Sequence, residues 1–534
     1  MGDIRTTGLG GVPKGNTSNR SVQFPSPQIG DVYYNGQLEI LEIYNGTTWV
    51  AVSAPPATPS IATPTDASAS DAYSSTAGKL SVVFTQGSGG GTPNQYNAYT
   101  TSGGYSGYSN TTTVLITGLN PGTAYTVYGN AQNNFGTTVN TANAAAVTPT
   151  TLPEIRTIGT ATTNNINTDV VVTWTNGSNG GKSLTSITIT PFLNGVTAGT
   201  PQTASSTSAT SHTFTGLPQG SSYTFKVKAT NANGTCADSL ATNSVTTPSF
   251  ITVDYLVLAG GGGGSAVYGA GGGAGGLRSS VTSTGGGLPA ESSILTAKNT
   301  NYTVQVGAGG SGGYNNGQSK GNNGSNSIFH NTTALGGGAA GTSQNAPSDK
   351  NGNNGGCGGG ATNDGTPGSG QSGQGFGGGN GWNNGNYGSG GGGGTGSAGT
   401  NGTSTIGGSG GNGTSINITG SSVIYGGGGG GSTFQGGTAG NGGSGGGGAP
   451  GAAGTNNGGG NGTDGLGGGG GGSAYQNNVN TLGGNGGSGV VILRWLTSSG
   501  TISVGAGLTA DATQTTGLYS YKRITAGTGT VSWS

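Results

Sequence analysis

GGGGGSAVYGAGGGAGGL (Gly260–Leu277) is the stretch on which the reading of this chain turns, and it is typical of its surroundings: residues 249–496 hold 90 of the 125 glycines. Glycine loses more backbone freedom on folding than any other residue, so such a segment folds only if close backbone approach offsets that loss. A flexible linker, a collagen triple helix and a compact sheaf of polyproline II segments are the three candidates. Collagen demands glycine at every third position with abundant proline, whereas this region has four prolines and an irregular glycine phase. The linker is disfavoured by the β-branched, apolar runs ITVDYLVLA, NYTVQVGAG and SGVVILRW that open, interrupt and close the region. The expected structure is a folded glycine-rich domain, a polyproline II sheaf framed by β-strands.

Outward from that region, the length of 534 residues suggests three to five domains at about 100–200 residues each. Charged residues make up 6% and the net charge is zero, which leaves no basic footprint for nucleic acid or an anionic membrane. Solubility must come from Asn, Thr, Ser and exposed backbone. No basic-then-apolar leader and no run of 18 to 20 apolar residues is present, so neither secretion by a signal peptide nor membrane insertion is expected. Cys236 and Cys357 fall in different expected domains, which argues against a disulfide framework or a cysteine zinc site.

A tandem repeat occupies the first half. ITGLNPGTAYTV (Ile116–Val127) matches FTGLPQGSSYTF (Phe214–Phe225), and in each copy a leucine precedes a tyrosine by six positions, Leu119 to Tyr125 and Leu217 to Tyr223. Alternating strands and a repeat of about 100 residues indicate immunoglobulin-like β-sandwiches. With the early strands KLSVVF (Lys79–Phe84) and VVVTW (Val170–Trp174), and the endings NNFGTTV and TNANGT, the pattern resembles fibronectin type III domains over residues 55–150 and 151–248. The resemblance assigns both Leu/Tyr pairs to structural tyrosine corners. No RGD tripeptide occurs in either module.

Residues 1–54 read as a separate β-hairpin segment: GDVYYNG (Gly30–Gly36), then LEILEIYNGTTWV (Leu38–Val50) turning at Asn45-Gly46. This pattern resembles short elements of bacteriophage tail-fibre and virion proteins. PPATPSIATPT (Pro55–Thr65) follows as a linker, and residues 497–534 read as a polar C-terminal β segment.

The strings DYLVLAGGGGGS, GAGGGAGGLRSS, NYTVQVGAGGSG, GSNSIF, ALGGGAAG and GGSGVVILRW look like the glycine-rich domain of phage tail fibres and adhesins, marine and cyanobacterial ones among them. That resemblance implies stacked polyproline II helices with variable loops touching the host surface, where the receptor is a glycan or an outer-membrane protein. It further implies a virion location on tail or capsid, attachment to other virion proteins by the N-terminal segment, and a homotrimer, although no heptad repeat enforces one. The chain departs from those adhesins in carrying residues 497–534 after the glycine-rich region.

Catalytic patterns are weak. GxGxxG matches are a by-product of glycine abundance, and NGSNGGKS (Asn176–Ser183) lacks the first glycine of a phosphate loop. Asp254, Asp349, Asp364 and Asp464 do not follow calcium-repeat spacing. His212 and His330 lie in different expected domains, so no triad or metal cluster assembles from neighbours. The expectation is a non-enzyme without cofactor or metal. Binding chemistry is sought in the residues that interrupt the glycines: Phe376, Trp382 and Tyr387 share a twelve-residue window with Asn383 and Asn384, and Phe434 and Tyr475 form a second set. Aromatic faces with amide donors suit a neutral glycan receptor, yet the same rings could equally be spacers between glycine-rich segments. The reading is therefore a host-attachment fibre, with a capsid-decorating head fibre and a bacterial surface or ice-binding protein as alternatives. Ice binding would need a flat, regularly spaced face, which the irregular glycine phase disfavours.

Overall fold

The computed structural model describes residues 14–15, 17–36, 40–51, 55–164, 166–314, 319–343, 347–383, 388–434, 436–452, 457–474 and 481–534. The fold is mainly β, with α-helix among the described residues confined to Thr17–Gln23. Two compact units divide the chain, Met1–Pro248 and Ser249–Ser534.

In the first unit, strands Lys14–Gly15, Val32–Asn35, Ile40–Tyr44 and Trp49–Ala51 form a small sheet in that order. Asn45 Oδ1 accepts the amides of Thr47 and Thr48, and Gly46 takes φ of 101°, which makes the Asn-Gly turn. Leu38 and Glu39 of the expected hairpin lie outside the described residues. So small a sheet lacks a layered core and packs instead around rings: Phe24 meets Trp49 at 5.0 Å, and Tyr44 meets Trp49 at 5.6 Å. Arg20, from a polar helix with no apolar period to announce it, pairs with Glu42 and sits over the Trp49 ring.

Two β-sandwiches follow. In the first, Thr113–Leu119, Gly78–Thr85 and Ser60–Ile61 face a sheet ordered Gly136–Thr137, Val127–Asn133, Gln95–Thr100, Ser106–Ser109. In the second, Thr157–Thr163, Val170–Thr175 and Ser211–Phe214 face a sheet built on Leu184–Leu193 and Ser222–Asn231. Burial alternates along the strands, so that Leu80, Val82 and Phe84 point inward from one and Val170, Val172 and Trp174 from its counterpart. Tyr125 is buried beside Leu119, and its hydroxyl accepts the Asn120 amide at 3.0 Å. Tyr223 is buried next to a partly buried Leu217. A polar knot joins the sandwiches: Asp66 accepts the Thr150 amide at 2.8 Å, and Asn233 donates to Thr150 Oγ1 at 2.8 Å.

The second unit carries its sheet in the order Leu277–Ser279, Phe250–Leu258, Val490–Leu496, Tyr519–Trp533, Tyr302–Gln305, Ser327–Phe329, Thr332–Ala334. Both faces are covered, Val253, Tyr255 and Val257 with Leu493 and Trp495 on one side, Leu256 and Leu258 with Val490 and Ile492 on the other. Two-sided burial is why these strands read as unbroken apolar runs. Residues 497–534, set apart in the sequence, belong to this unit: Tyr519–Trp533 pairs with the closing strand Val490–Leu496 on one side and Tyr302–Gln305 on the other. Tyr302 Oη accepts the Ala297 amide at 2.7 Å, reaching back five residues as Tyr125 does.

Beyond the sheet, the glycine segments stack. The amides of Gly260 and Gly263 donate to Ser325 and Asn322, those of Gly261 and Gly264 to Gly487 and Gly484, and that of Gly262 to Gly273. Partners that recur every third residue, with no bond inside the segment, describe a polyproline II helix whose neighbours run antiparallel. The carbonyls behave likewise toward three parallel neighbours: Gly260 accepts from Gly337, Gly261 from Gly310 and Gly262 from Gly470. Segment 259–265 thus has six neighbours, alternately antiparallel and parallel. A Cβ on Gly260, Gly261 or Gly262 would stand 2.1, 2.0 or 2.2 Å from a neighbouring carbonyl oxygen, so each of these positions in the segment requires glycine. Edge segments need it only where they face inward; Leu482, Asn485 and Ser488 occupy the outward third positions of one, and Thr438, Asn441 and Ser444 those of another. The irregular glycine phase is the superposition of these two cases, and the outer rows are regular.

Candidate functional site

Connectivity gives the sheaf two ends. The opening strand Phe250–Leu258 runs into segment 259–265, the chain turns at 266–268, and segment 269–276 returns to strand Leu277–Ser279. Turns of this kind lie away from the sheet and make a tip. At its centre Ala266, Val267 and Tyr268 are buried, and the Tyr268 ring meets Phe434 edge-on at 4.6 Å.

Val267 and Tyr268 hold φ of 52° and 49°, a left-handed conformation that is costly for a β-branched residue and persists only when its surroundings over-determine it. Four hydroxyls from three separate segments supply that constraint. Thr342 Oγ1 donates to Ala266 O at 3.2 Å, Ser343 Oγ to Val267 O at 2.8 Å, and Ser389 Oγ to Tyr268 O, while Ser473 Oγ accepts the Val267 amide at 2.9 Å. Where the lattice stops, the turn's backbone groups lose their repeating partners, and serine or threonine replaces them.

Trp382 belongs to this end. Its amide donates to Gly388 O at 2.8 Å, and the next residue, Ser389, donates its own amide to Ser432 O at 3.0 Å, two residues from Phe434. Its side chain is 39% exposed and Asn383 is exposed, while Phe434 is half-buried. Asn384, Tyr387 and Tyr475 lie outside the described residues. Phe376 does not join this group. It begins the segment that ends at Trp382, and its ring lies 3.6 Å from where a Gly287 Cβ would stand, at the sheet end. Six residues at a rise of about 3.1 Å separate the two rings by about 19 Å along the segment. Tyr268 was missed in the sequence, although it is the one aromatic residue among the glycines at 260–276.

Elsewhere the edge asparagines have structural employment. Asn351 and Asn354 accept the amides of Thr366 and Ser369, both at 2.7 Å, and Asn461 and Asp464 accept those of Asn485 and Ser488 at 2.9 and 2.8 Å. These side-chain oxygens stand in for the carbonyl of a missing outer segment. His212 bonds Gln202 at 2.7 Å, with burial drawing its pKa down, and His330 packs edge-on against Tyr302. Among the described residues, no group of three or more His, Cys, Asp or Glu is placed to hold a metal, and no helix is long and apolar enough to cross a membrane.

Comparison with known proteins gives two family matches, a glycine-rich domain at residues 235–496 and a fibronectin type III domain at residues 158–245. No curated protein matches the chain. Similar solved structures include the chicken CNTN1 FN1-FN3 domains, 15% identical over 38% of this chain and 79% of that one with a TM-score of 0.24. A set of titin domains is 17% identical over 39% of this chain and 73% of that one, with a TM-score of 0.21. A fibronectin type III module beside a glycine-rich domain fits a structural or adhesin-like protein.

Proposed function

We propose that the chain is a bacteriophage virion fibre whose glycine-rich tip contacts the host cell surface. The N-terminal sheet attaches it to other virion proteins, the two sandwiches act as spacer, and the working assembly is a homotrimer. The observation that carries this reading is the over-determined Val267-Tyr268 turn, which holds the tip rigid while Trp382 and Asn383 remain exposed beside it. An indole face and an amide are the groups that stack on a sugar ring and bond its hydroxyls, so a surface glycan is the favoured receptor. Pre-organisation of the tip lowers the entropic cost of that contact.

The test is competition by the purified full chain for particle adsorption to host cells. Trp382→Ala should abolish competition at an unchanged melting temperature, and Phe376→Leu, at the sheet end, should leave it intact. Full competition by Trp382→Ala would overturn the tip assignment. Imaging of particles with a labelled chain separates tail from capsid.

Ice binding is the second reading, favoured by the three-residue periodicity of the outer rows, which corresponds to about 9 Å per turn. Against it, several amide oxygens of those rows are already engaged within the lattice. Thermal hysteresis of the purified chain decides it.

A further inference from the structure

At the sheet end of the second unit, away from the tip, a cleft of about 540 Å³ opens between the hairpin of Thr414–Ile416 and Val423–Tyr425 and the C-terminal strands. Strand periodicity builds its walls. Tyr521 and Arg523, two apart on Tyr519–Trp533, share a face, and Gln514 stands directly opposite Tyr521 on the neighbouring strand, so its side chain joins them. Tyr425 comes from the hairpin, Leu466 forms the apolar floor, and Asp511 stands at the rim.

The enclosure is built closely. Gly420, at φ of 89°, brings the hairpin tip so near Gln514–Thr516 that a Cβ there would lie 2.1 Å from Thr516 Oγ1. Gly465, at φ of 73°, leaves room for the guanidinium, since a Cβ would lie 2.6 Å from Arg523 Nη2. These two glycines are required by the cleft rather than by the lattice.

Its polar groups are underused. Arg523 makes one long ion pair, Nη1 to Asp511 Oδ2 at 3.4 Å, which leaves Nε and Nη2 without a partner among the described residues. The hydroxyls of Tyr425 and Tyr521 and the Gln514 carboxamide likewise bond to none of the described residues, although Tyr425 is only 3% exposed. The volume suits a small ligand. Pairing of Arg523 with Asp511 makes the cleft neutral, which disfavours a phosphate or carboxylate ligand. Carboxylate, guanidinium, carboxamide and phenol together accept from and donate to a set of vicinal hydroxyls, while Leu466 and the tyrosine rings cover C–H surface.

We propose that this cleft binds a neutral hexopyranose unit of a glycan, independently of the tip. The test uses the full chain and saturation-transfer NMR with methyl glucoside, methyl galactoside, methyl mannoside and, as an anionic control, methyl glucuronoside. At least one neutral glycoside should bind, about tenfold more weakly to Gln514→Ala and to Tyr521→Phe, variants that remove one polar group each at little cost to packing. Binding is read in the Trp382→Ala background, so that the sugar contact proposed at the tip contributes nothing to the signal. In that background, binding of none of the neutral glycosides, binding of the glucuronoside alone, or undiminished binding by both cleft variants would each overturn the proposal.

Discussion

Asp254 and Arg494 stand directly opposite each other on the opening and closing strands of the glycine-rich unit, and Arg494 holds Asp254 Oδ2 through Nε at 3.0 Å and Nη2 at 2.7 Å. The guanidinium also lies over the Tyr519 ring at 4.8 Å, so one side chain ties together three strands of the sheet. Both partners are mostly buried, which shields the pair from salt. A double-mutant cycle with Asp254→Ala and Arg494→Ala should return a coupling of about 1–3 kcal/mol in denaturant unfolding, little changed between low and high salt. Additive single effects would contradict this.

Glycine in the centre of the sheaf is a steric requirement. Gly261→Ala places a methyl 2.0 Å from the Gly468 carbonyl oxygen and should destabilise the unit by about 3 kcal/mol or more. Leu482→Ala, on an outward third position, should change stability by about 0.5 kcal/mol or less. Equal melting temperatures for the two variants would refute the packing.

The knot between the sandwiches is pH-sensitive. Burial pushes the Asp66 carboxyl up, but hydrogen bonds from Thr150 and Ser68 outweigh it and hold the pKa below the ordinary carboxylate value. A depressed folded-state pKa stabilises the fold above the unfolded value of about 3.9, and that contribution disappears as pH falls through the folded value. Wild type should therefore lose its advantage over Asp66→Asn as pH is lowered from about 5 to about 3, followed by thermal melts. A constant difference across that range would count against the assignment.

Cys357 is fully buried, and burial pushes its thiol up to about 12. At pH 8 only about one thiol in 10⁴ would be ionised. Cys236 is buried as well. A thiol-reactive disulfide reagent should find no cysteine in the native chain and two after denaturation; rapid native labelling would show that the lattice around Cys357 opens.

Much of this fold is legible in particular residues. The runs ITVDYLVL and VVILRW carry two-sided burial in their composition, and Asn45-Gly46 carries its turn. Gly260–Gly264 marks a central segment because five consecutive positions each face a neighbour, while the TLGGNGGSG pattern at Thr481–Gly489 marks an edge. What escaped was non-local or geometric. The place of Tyr519–Trp533 inside the sheet depends on pairing with Tyr302–Gln305, more than 200 residues earlier, which no local pattern encodes. Phe376 and Trp382 looked like one site because a window in sequence suggests proximity, but an extended helix spreads its residues along a line. Tyr268 was hidden because a buried ring at a strained turn has no signature beyond its interruption of the glycines.

The threefold lattice has a further consequence for folding. A glycine segment displaced by three residues along its axis recovers the same backbone bonds, so the lattice alone is degenerate to such slips. Degeneracy is lifted only where chemistry differs along the rod: at the strands, at the serine and threonine hydroxyls around Val267, and at asparagines such as Asn351 and Asn461. These scattered polar residues act as a vernier, choosing one alignment among several of nearly equal energy, and their removal should yield chains that are compact and fully bonded yet misaligned.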